Sequence, residues 1–80
     1  MPASSLTLLK RQLARRIAAC VDNLNLRQVE AAQMLELTQP RLNALLKGRV
    51  ELFSLDALAR VAMRAGLTVR VSATRSYRHG

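Results

Sequence analysis

Residues 28–46 constrain the fold more than any other stretch, because their apolar residues fit two short helices joined by a tight turn. Apolar residues recur there at steps of three and four: Ala31 and Leu35 in the first half, and Leu42, Leu45 and Leu46 in the second. Thr38 is a typical N-cap residue, and Pro40 falls in the first turn of the second helix, where a missing N–H does no harm. The sequence therefore predicts a helix, a turn and a second helix over residues 28–47.

The charge of the chain indicates a polyanionic partner. Thirteen Lys and Arg residues stand against five Asp and Glu, which gives a net charge of +8. Most of the cations are arginine, the residue best suited to bidentate contact with phosphate or guanine. Because this charge accompanies a helix pair that can dock on DNA, we interpret it as nucleic-acid binding. A basic surface that merely adheres to polyanions is the alternative.

The remaining pattern predicts one all-α domain over residues 1–80, with its core in 5–73 and about five helices, counting short ones. Ser4 or Ser5 can cap a first helix that ends near Asn23, and Ser54 can cap a helix over 55–65 after a loop at 49–53. Gly48 and Gly66 suit helix ends. The buried face of the first helix is predicted to comprise Leu6, Leu9, Leu13, Ile17, Cys20 or Val21, and Leu24.

The period changes to two after Gly66. Leu67, Val69 and Val71 alternate with polar residues, which predicts a short strand over 67–73. A single strand leaves its backbone groups unpaired, so we expect it to pair with the same strand of a second subunit in a homodimer. An extended tail packed on the helices is the alternative. Residues 74–80 are predicted to be a disordered tail.

Cysteine, hydropathy and catalytic patterns exclude several classes of protein. Cys20 is the only cysteine, so we expect a buried thiol rather than a disulfide or a thiolate metal site. No signal peptide or membrane span is evident, and the basic first helix lacks the Trp or Phe that anchor interfacial helices, so a cytoplasmic protein is expected, with no membrane partner. One Phe and one Tyr are too few for base-stacking single-strand binders. No catalytic arrangement is visible, and we expect neither enzymatic activity nor a cofactor.

The second helix of the pair carries the side chains that could read DNA. Helices enter the major groove with their N-terminal residues against base edges. The predicted base-reading residues are Thr38, Gln39, Pro40, Arg41 and Ala44, where Gln suits adenine, Arg suits guanine, and Pro or Ala can touch a thymine methyl. The predicted phosphate-binding residues are Gln28, Asn43, Lys47 and Arg49.

These residues resemble the phage-repressor (Xre/Cro-type) helix-turn-helix family over residues 6 to 73. The resemblance starts at Gln28, has Ala32 at the close crossing of the two helices, and has Leu37, Leu42 and Leu45 as core residues. The wider string from Leu37 to Gly48, followed by residues 53–58 and a C-terminal strand, is similar to compact regulators and antitoxins of the HigA kind. The resemblance implies a dimeric transcriptional regulator that binds double-stranded DNA, or an antitoxin that also binds a small toxin protein.

Two positions depart from the pattern of this family. Glu36 stands where the turn usually carries Gly, and a positive φ there would cost on the order of 1 kcal/mol. Arg27 stands where the first helix usually has a Ser or Thr cap, so that cap is expected to be weak. A nucleoid-type or RNA-binding protein that acts through charge alone is a further alternative.

Overall fold

The computed structural model describes residues 4–67, which form four α-helices and one 3₁₀ turn. The helices are α1 (Ser5–Asn23), α2 (Gln28–Leu35), α3 (Gln39–Leu46) and α4 (Leu55–Arg64), and the 3₁₀ turn is Val50–Leu52. The all-helical class is thus confirmed, and α2 and α3 form a pair of short helices joined by a tight turn. The count of about five helices is not supported for residues 4–67, because the fifth helical element is only this turn, in what the sequence suggested was a loop.

Side-chain caps start three of the four helices. Ser4 Oγ accepts from the Thr7 amide at 3.1 Å, Thr38 Oγ1 from the Arg41 amide at 3.3 Å, and Ser54 Oγ from the Ala57 amide at 3.0 Å. Each hydroxyl satisfies a backbone N–H that has no partner within its own helix. Both the helix starts and the capping residues predicted for α1, α3 and α4 are therefore confirmed.

At the start of α2 the stabilising bond runs from the backbone of the N-cap residue to a side chain within the helix. No Arg27 side-chain group accepts a bond there, as the sequence suggested. Instead the Arg27 amide donates to Glu30 Oε1 at 3.0 Å, and Arg27 Nη2 lies 3.4 Å from Glu30 Oε2. These bonds, the backbone amide first and the guanidinium second, lower the pKa of Glu30. The carboxylate thus compensates for the absent Ser or Thr.

The turns use left-handed backbone. Gly48 and Gly66, just after α3 and α4, have φ of 80° and 89°. Asn25 and Glu36 adopt the same conformation at φ 56° and 57°. Asn tolerates it well, whereas Glu pays a steric cost. The positive φ considered for Glu36 from the sequence is therefore observed.

The core lies between α1 and α4, with α2 and α3 packed across them. Its buried residues are aliphatic apart from one ring: Leu13, Ala14, Ile17, Val21, Ala31, Ala32, Leu35, Leu42, Leu45, Val50, Phe53, Leu58, Val61, Ala62 and Ala65. None of the described residues is a buried polar or charged one. The chain thus places α3 on an apolar base, with its polar side chains outward.

The prediction for the buried face of α1 is wrong at both ends. Leu6 and Leu9 are each 49% exposed and Leu24 is 47% exposed, whereas Leu13, Ile17 and Val21 are buried. The reason is length: at about 1.5 Å per residue, α1 spans roughly 28 Å and α4 roughly 15 Å. α4 is therefore too short to cover α1 along its whole length. Cys20 is partly buried, and its Sγ lies 3.1 Å from the Ala65 carbonyl oxygen as a weak donor.

Leu67 is the last described residue, and its amide donates to the Ala62 carbonyl at 2.9 Å, which closes the turn after α4. No strand forms within residues 4–67. The rest of the predicted strand, with Val69 and Val71, and the predicted tail 74–80 lie outside the described residues. The C-terminal strand is therefore not supported by this structure.

Candidate nucleic-acid interface

The exposed side of α3 is the surface on which the sequence placed its DNA contacts. Leu42 and Leu45 point into the core, at 0% and 1% exposure. Successive residues of a helix are about 100° apart around its axis, so four positions lie on the side of α3 opposite Leu42 and Leu45. These positions, which we call the α3 outer face, are Pro40, Asn43, Ala44 and Lys47. Ala44 is half-buried and the other three are exposed.

Gln39 and Arg41 flank this face on opposite sides. Two residues apart on a helix, their side chains diverge by about 160° around the axis. Both are exposed, so neither is lost to the core. A DNA groove in contact with the α3 outer face would therefore have Gln39 along one edge of the contact and Arg41 along the other.

The hydroxyl of Thr38 has a structural task as well as the predicted one. Its oxygen accepts the cap bond from the Arg41 amide, while the residue itself is exposed at the start of α3. A hydroxyl has one donor and two acceptor lone pairs. Its donor therefore stays usable toward a base or a phosphate.

Arg41 makes two contacts that sequence reasoning missed. Its Nη1 donates to the Leu52 carbonyl oxygen at 2.9 Å, and its Cζ lies 4.1 Å from the centroid of the Phe53 ring. Phe53 is 2% exposed, so the guanidinium rests on a fixed part of the core. One feature of the sequence pointed toward these contacts. Phe53 directly precedes the Ser54 N-cap, and an apolar residue at that position packs toward the following helix.

The predicted phosphate contacts fall into two groups. Asn43, Lys47 and Arg49 are exposed along and just beyond the C-terminal half of α3, with the Arg49 amide bonded to the Ala44 carbonyl at 3.0 Å. Gln28 is exposed at the first residue of α2, beside a shallow groove that Leu46 also lines. The structure therefore places Asn43, Lys47 and Arg49 on α3 and the turn that follows it, and Gln28 on the neighbouring helix.

Two further arginines lie next to the end of α3. A shallow groove of about 190 Å³ is lined by Arg11 and Arg15 of α1 together with Leu45, Leu46 and Gly48. The i, i+4 spacing of the two cations was the signal for a shared position, but their neighbour on α3 is a matter of tertiary packing.

Glu36 adds one acidic group near the start of α3. Its Oε2 lies 3.3 Å from Arg64 Nε of α4, and the Glu36 side chain is more exposed than that of Arg64. Arg64 offsets this negative charge beside the predicted DNA-binding helix. The pair also connects the turn between α2 and α3 to α4.

Two other classes of site, for a metal ion and for a membrane, find no support in residues 4–67. Residues 4–67 contain no group of three or more His, Cys, Asp or Glu side chains that could hold a metal ion. None of the helices described is both long and apolar enough to cross a membrane. Of the predicted dimer residues, Leu67 is half-buried against the core and the other two lie beyond the described range.

Comparison with known families decides the class of the domain. A family described as a helix-turn-helix domain matches residues 1–74 of the chain. The protein belongs to this helix-turn-helix family. Its α2, turn and α3 supply the motif, and the family suggests a DNA-binding regulator. No curated protein matches the sequence of this helix-turn-helix chain.

Proposed function

We propose that this helix-turn-helix protein is a sequence-specific transcriptional regulator that binds double-stranded DNA and represses a promoter, its own included. The observation that carries the proposal is the α3 outer face: a largely exposed helix side that bears Asn43 and Lys47, starts at a capped N-terminus and has apolar anchors behind it. Such a helix fits the major groove of B-DNA. The resemblance to Xre/Cro-type regulators, including the HigA kind, supports the same role.

In this proposal the two predicted sets of side chains have separate tasks. Thr38, Gln39, Pro40 and Ala44 face base edges, and Arg41 borders them on the far edge of the helix. Gln28, Asn43, Lys47 and Arg49 contact phosphates, which fix the register of the protein on the duplex. The net charge of +8 favours association with DNA and makes it sensitive to salt.

We further propose that two copies bind together through the segment of Leu67, Val69 and Val71. The two α3 helices would then enter major grooves about one helical turn, or about 34 Å, apart on a palindromic site. The alternating sequence of this segment supports the dimer, since an isolated strand needs a partner.

The test begins with selection of duplexes from a random library by the purified full chain, followed by footprinting of the selected site. We expect an inverted repeat with half-sites spaced by one turn of DNA. Gln39→Ala should lower affinity for that site by about 1–3 kcal/mol and relax the preference at one base pair. Enrichment of no sequence over random duplex would overturn the proposal in favour of charge-only binding.

A matched pair of charge changes tests the docking side. Lys47→Ala should weaken binding to all duplexes alike and lower the salt slope by about one unit. Arg60→Ala removes the same charge from α4, where Arg60 pairs with Asp56, and should leave the slope nearly unchanged. Equal effects of the two substitutions would place the DNA elsewhere on the surface.

A second function, neutralisation of a small toxin protein, is favoured by one observation. Leu6, Leu8 and Leu9 are each 49% exposed in the first two turns of α1. Exposed apolar side chains of this kind near a helix end suit the groove of a protein partner. The test is capture of a protein partner at high salt by the wild type and by the double variant Leu6→Lys with Leu9→Lys. A partner that the wild type retains and the double variant loses, while DNA affinity is not reduced, would support this function. The absence of any such partner encoded beside the gene would count against it.

A further inference from the structure

Arg41 is the one charged residue among the predicted base-reading residues, and its guanidinium has partners within the described part of the chain. Its guanidinium donates to the Leu52 carbonyl at 2.9 Å and lies 4.1 Å from the centre of the Phe53 ring. Both partners belong to the 50–53 turn, and Phe53 is buried at 2% exposure. The side chain therefore connects α3 to the core rather than extending freely from the helix.

The position of Arg41 on α3 agrees with this connection. It lies at the edge of the α3 outer face, about 160° around the helix from Gln39. The turn that it contacts follows directly after Arg49, one of the proposed phosphate contacts. A guanidinium that moved into a groove would give up both a charge-assisted hydrogen bond and the ring contact.

We propose that Arg41 is a positioning residue for DNA binding, not a base-reading one. In the complex with DNA, its guanidinium keeps its contacts with Phe53 and with the Leu52 carbonyl. These contacts fix the angle of α3 relative to the turn that follows Arg49. Base contacts are then left to Thr38, Gln39, Pro40 and Ala44. This inference rests on the proposed function, because it concerns how the same surface is held.

The three roles open to Arg41 have different signatures. A base contact would relax preference at one base pair when removed. A phosphate contact would weaken all duplexes and lower the salt slope by about one unit. A positioning residue, which touches no DNA, should weaken all duplexes by a common factor at an unchanged salt slope.

The first experiment uses the wild-type chain and needs no substitution. Protons on the Arg41 side chain lie over the Phe53 ring, so NMR of the free protein should show them shifted upfield by the ring current. We expect the same upfield shift when the selected operator duplex is bound. Loss of the shift on binding would mean that the guanidinium leaves Phe53, and it would overturn the inference.

The second experiment uses Arg41→Met, which keeps an apolar stem over the ring and removes the donor and the charge. We expect a loss of affinity on the order of tenfold, common to the operator and its single-base variants, at an unchanged salt slope. Phe53→Leu should weaken binding similarly, and the double variant should be little weaker than either one, because the two residues act as one unit. Affinities are measured well below the thermal midpoint of each variant.

The outcomes separate this inference from the proposed function. A wild-type chain that selects no sequence overturns both. A chain that selects an operator while Arg41→Met relaxes one base pair, lowers the salt slope or leaves affinity unchanged overturns only the role given to Arg41. If Phe53→Leu does not fold, the NMR measurement and the methionine variant decide the matter.

Discussion

At the scale of single residues, Glu36 shows a local conflict that the fold tolerates. The turn between α2 and α3 needs a left-handed residue, and Glu36 supplies it at φ 57° and ψ 42°. Its carboxylate recovers part of the cost through Arg64, 3.3 Å away. Exposed ion pairs contribute only about 0–1 kcal/mol, so the steric term should exceed the electrostatic one.

We therefore expect Glu36→Gly to raise the free energy of unfolding by about 0.5–1 kcal/mol, as left-handed strain is relieved and the ion pair is lost. Chemical denaturation checks this. Glu36→Gln is the matched control, because it removes the ion pair but keeps the strained residue, and it should lower stability slightly or not at all. A glycine variant less stable than the glutamine variant would contradict the argument.

Glu30 predicts a dependence of stability on pH. Its pKa is lowered in the folded chain by the Arg27 amide and then by the Arg27 guanidinium. A depressed folded pKa stabilises the protein above the ordinary glutamate pKa, and the gain is lost as pH falls through the folded value. Denaturation midpoints between neutral pH and strongly acidic pH should therefore fall less in Glu30→Gln than in the wild type. Parallel curves for the two proteins would show that the carboxylate does not act as a cap.

At the scale of elements, the caps explain why so much of the fold could be predicted. Ser4, Thr38 and Ser54 mark helix starts that the structure reproduces, because a cap depends on residues within one turn of each other. Gly48 and Gly66 mark ends for the same local reason. The capped start of α3 at Thr38 followed from the sequence in this way.

What the sequence could not show depends on contacts between elements. Leu6 and Leu9 continue the apolar stripe of α1, yet they are exposed. The spacing of apolar residues does not show where the element packed against that stripe ends. Arg41 contacts residues eleven and twelve positions away, across a turn whose path is set by the buried Val50 and Phe53. Periodicity identifies a face of a helix, but it does not identify which part of that face is covered.

The cap of α3 leads to a prediction at this scale. Thr38→Ala should lower the free energy of unfolding by about 1 kcal/mol, because the Arg41 amide loses its acceptor at the helix start. Thr38→Ser keeps the hydroxyl and serves as the control, with a change well below that. Thermal or urea unfolding measures both. An alanine variant as stable as the serine variant would mean that the 3.3 Å contact does not stabilise the helix.

At the scale of the whole molecule, the proposed dimer rests on residues 67–73, of which only Leu67 is described. Val69→Asp should disrupt it, since a charge would then fall on the apolar side of the alternating segment. Ser72→Asp adds the same charge on the other side and is the control. Light scattering should give about twice the chain mass of 8.9 kDa for the wild type and the control, and the single mass for Val69→Asp. A monomeric wild type, or two equally dissociated variants, would exclude this interface.

Throughout residues 4–67, the interior is purely apolar and every ionic group is at least partly solvated. Most of the proposed DNA contacts therefore lie on side chains that take no part in the core, and Thr38, whose hydroxyl caps α3, is an exception. Residues such as Gln39, Asn43 and Lys47 can be exchanged without disturbing the leucines beneath them. Under the proposed function, variation at a few surface positions would retarget such a chain to new operators while its scaffold stays the same, and the α3 outer face would be the place where related regulators diverge.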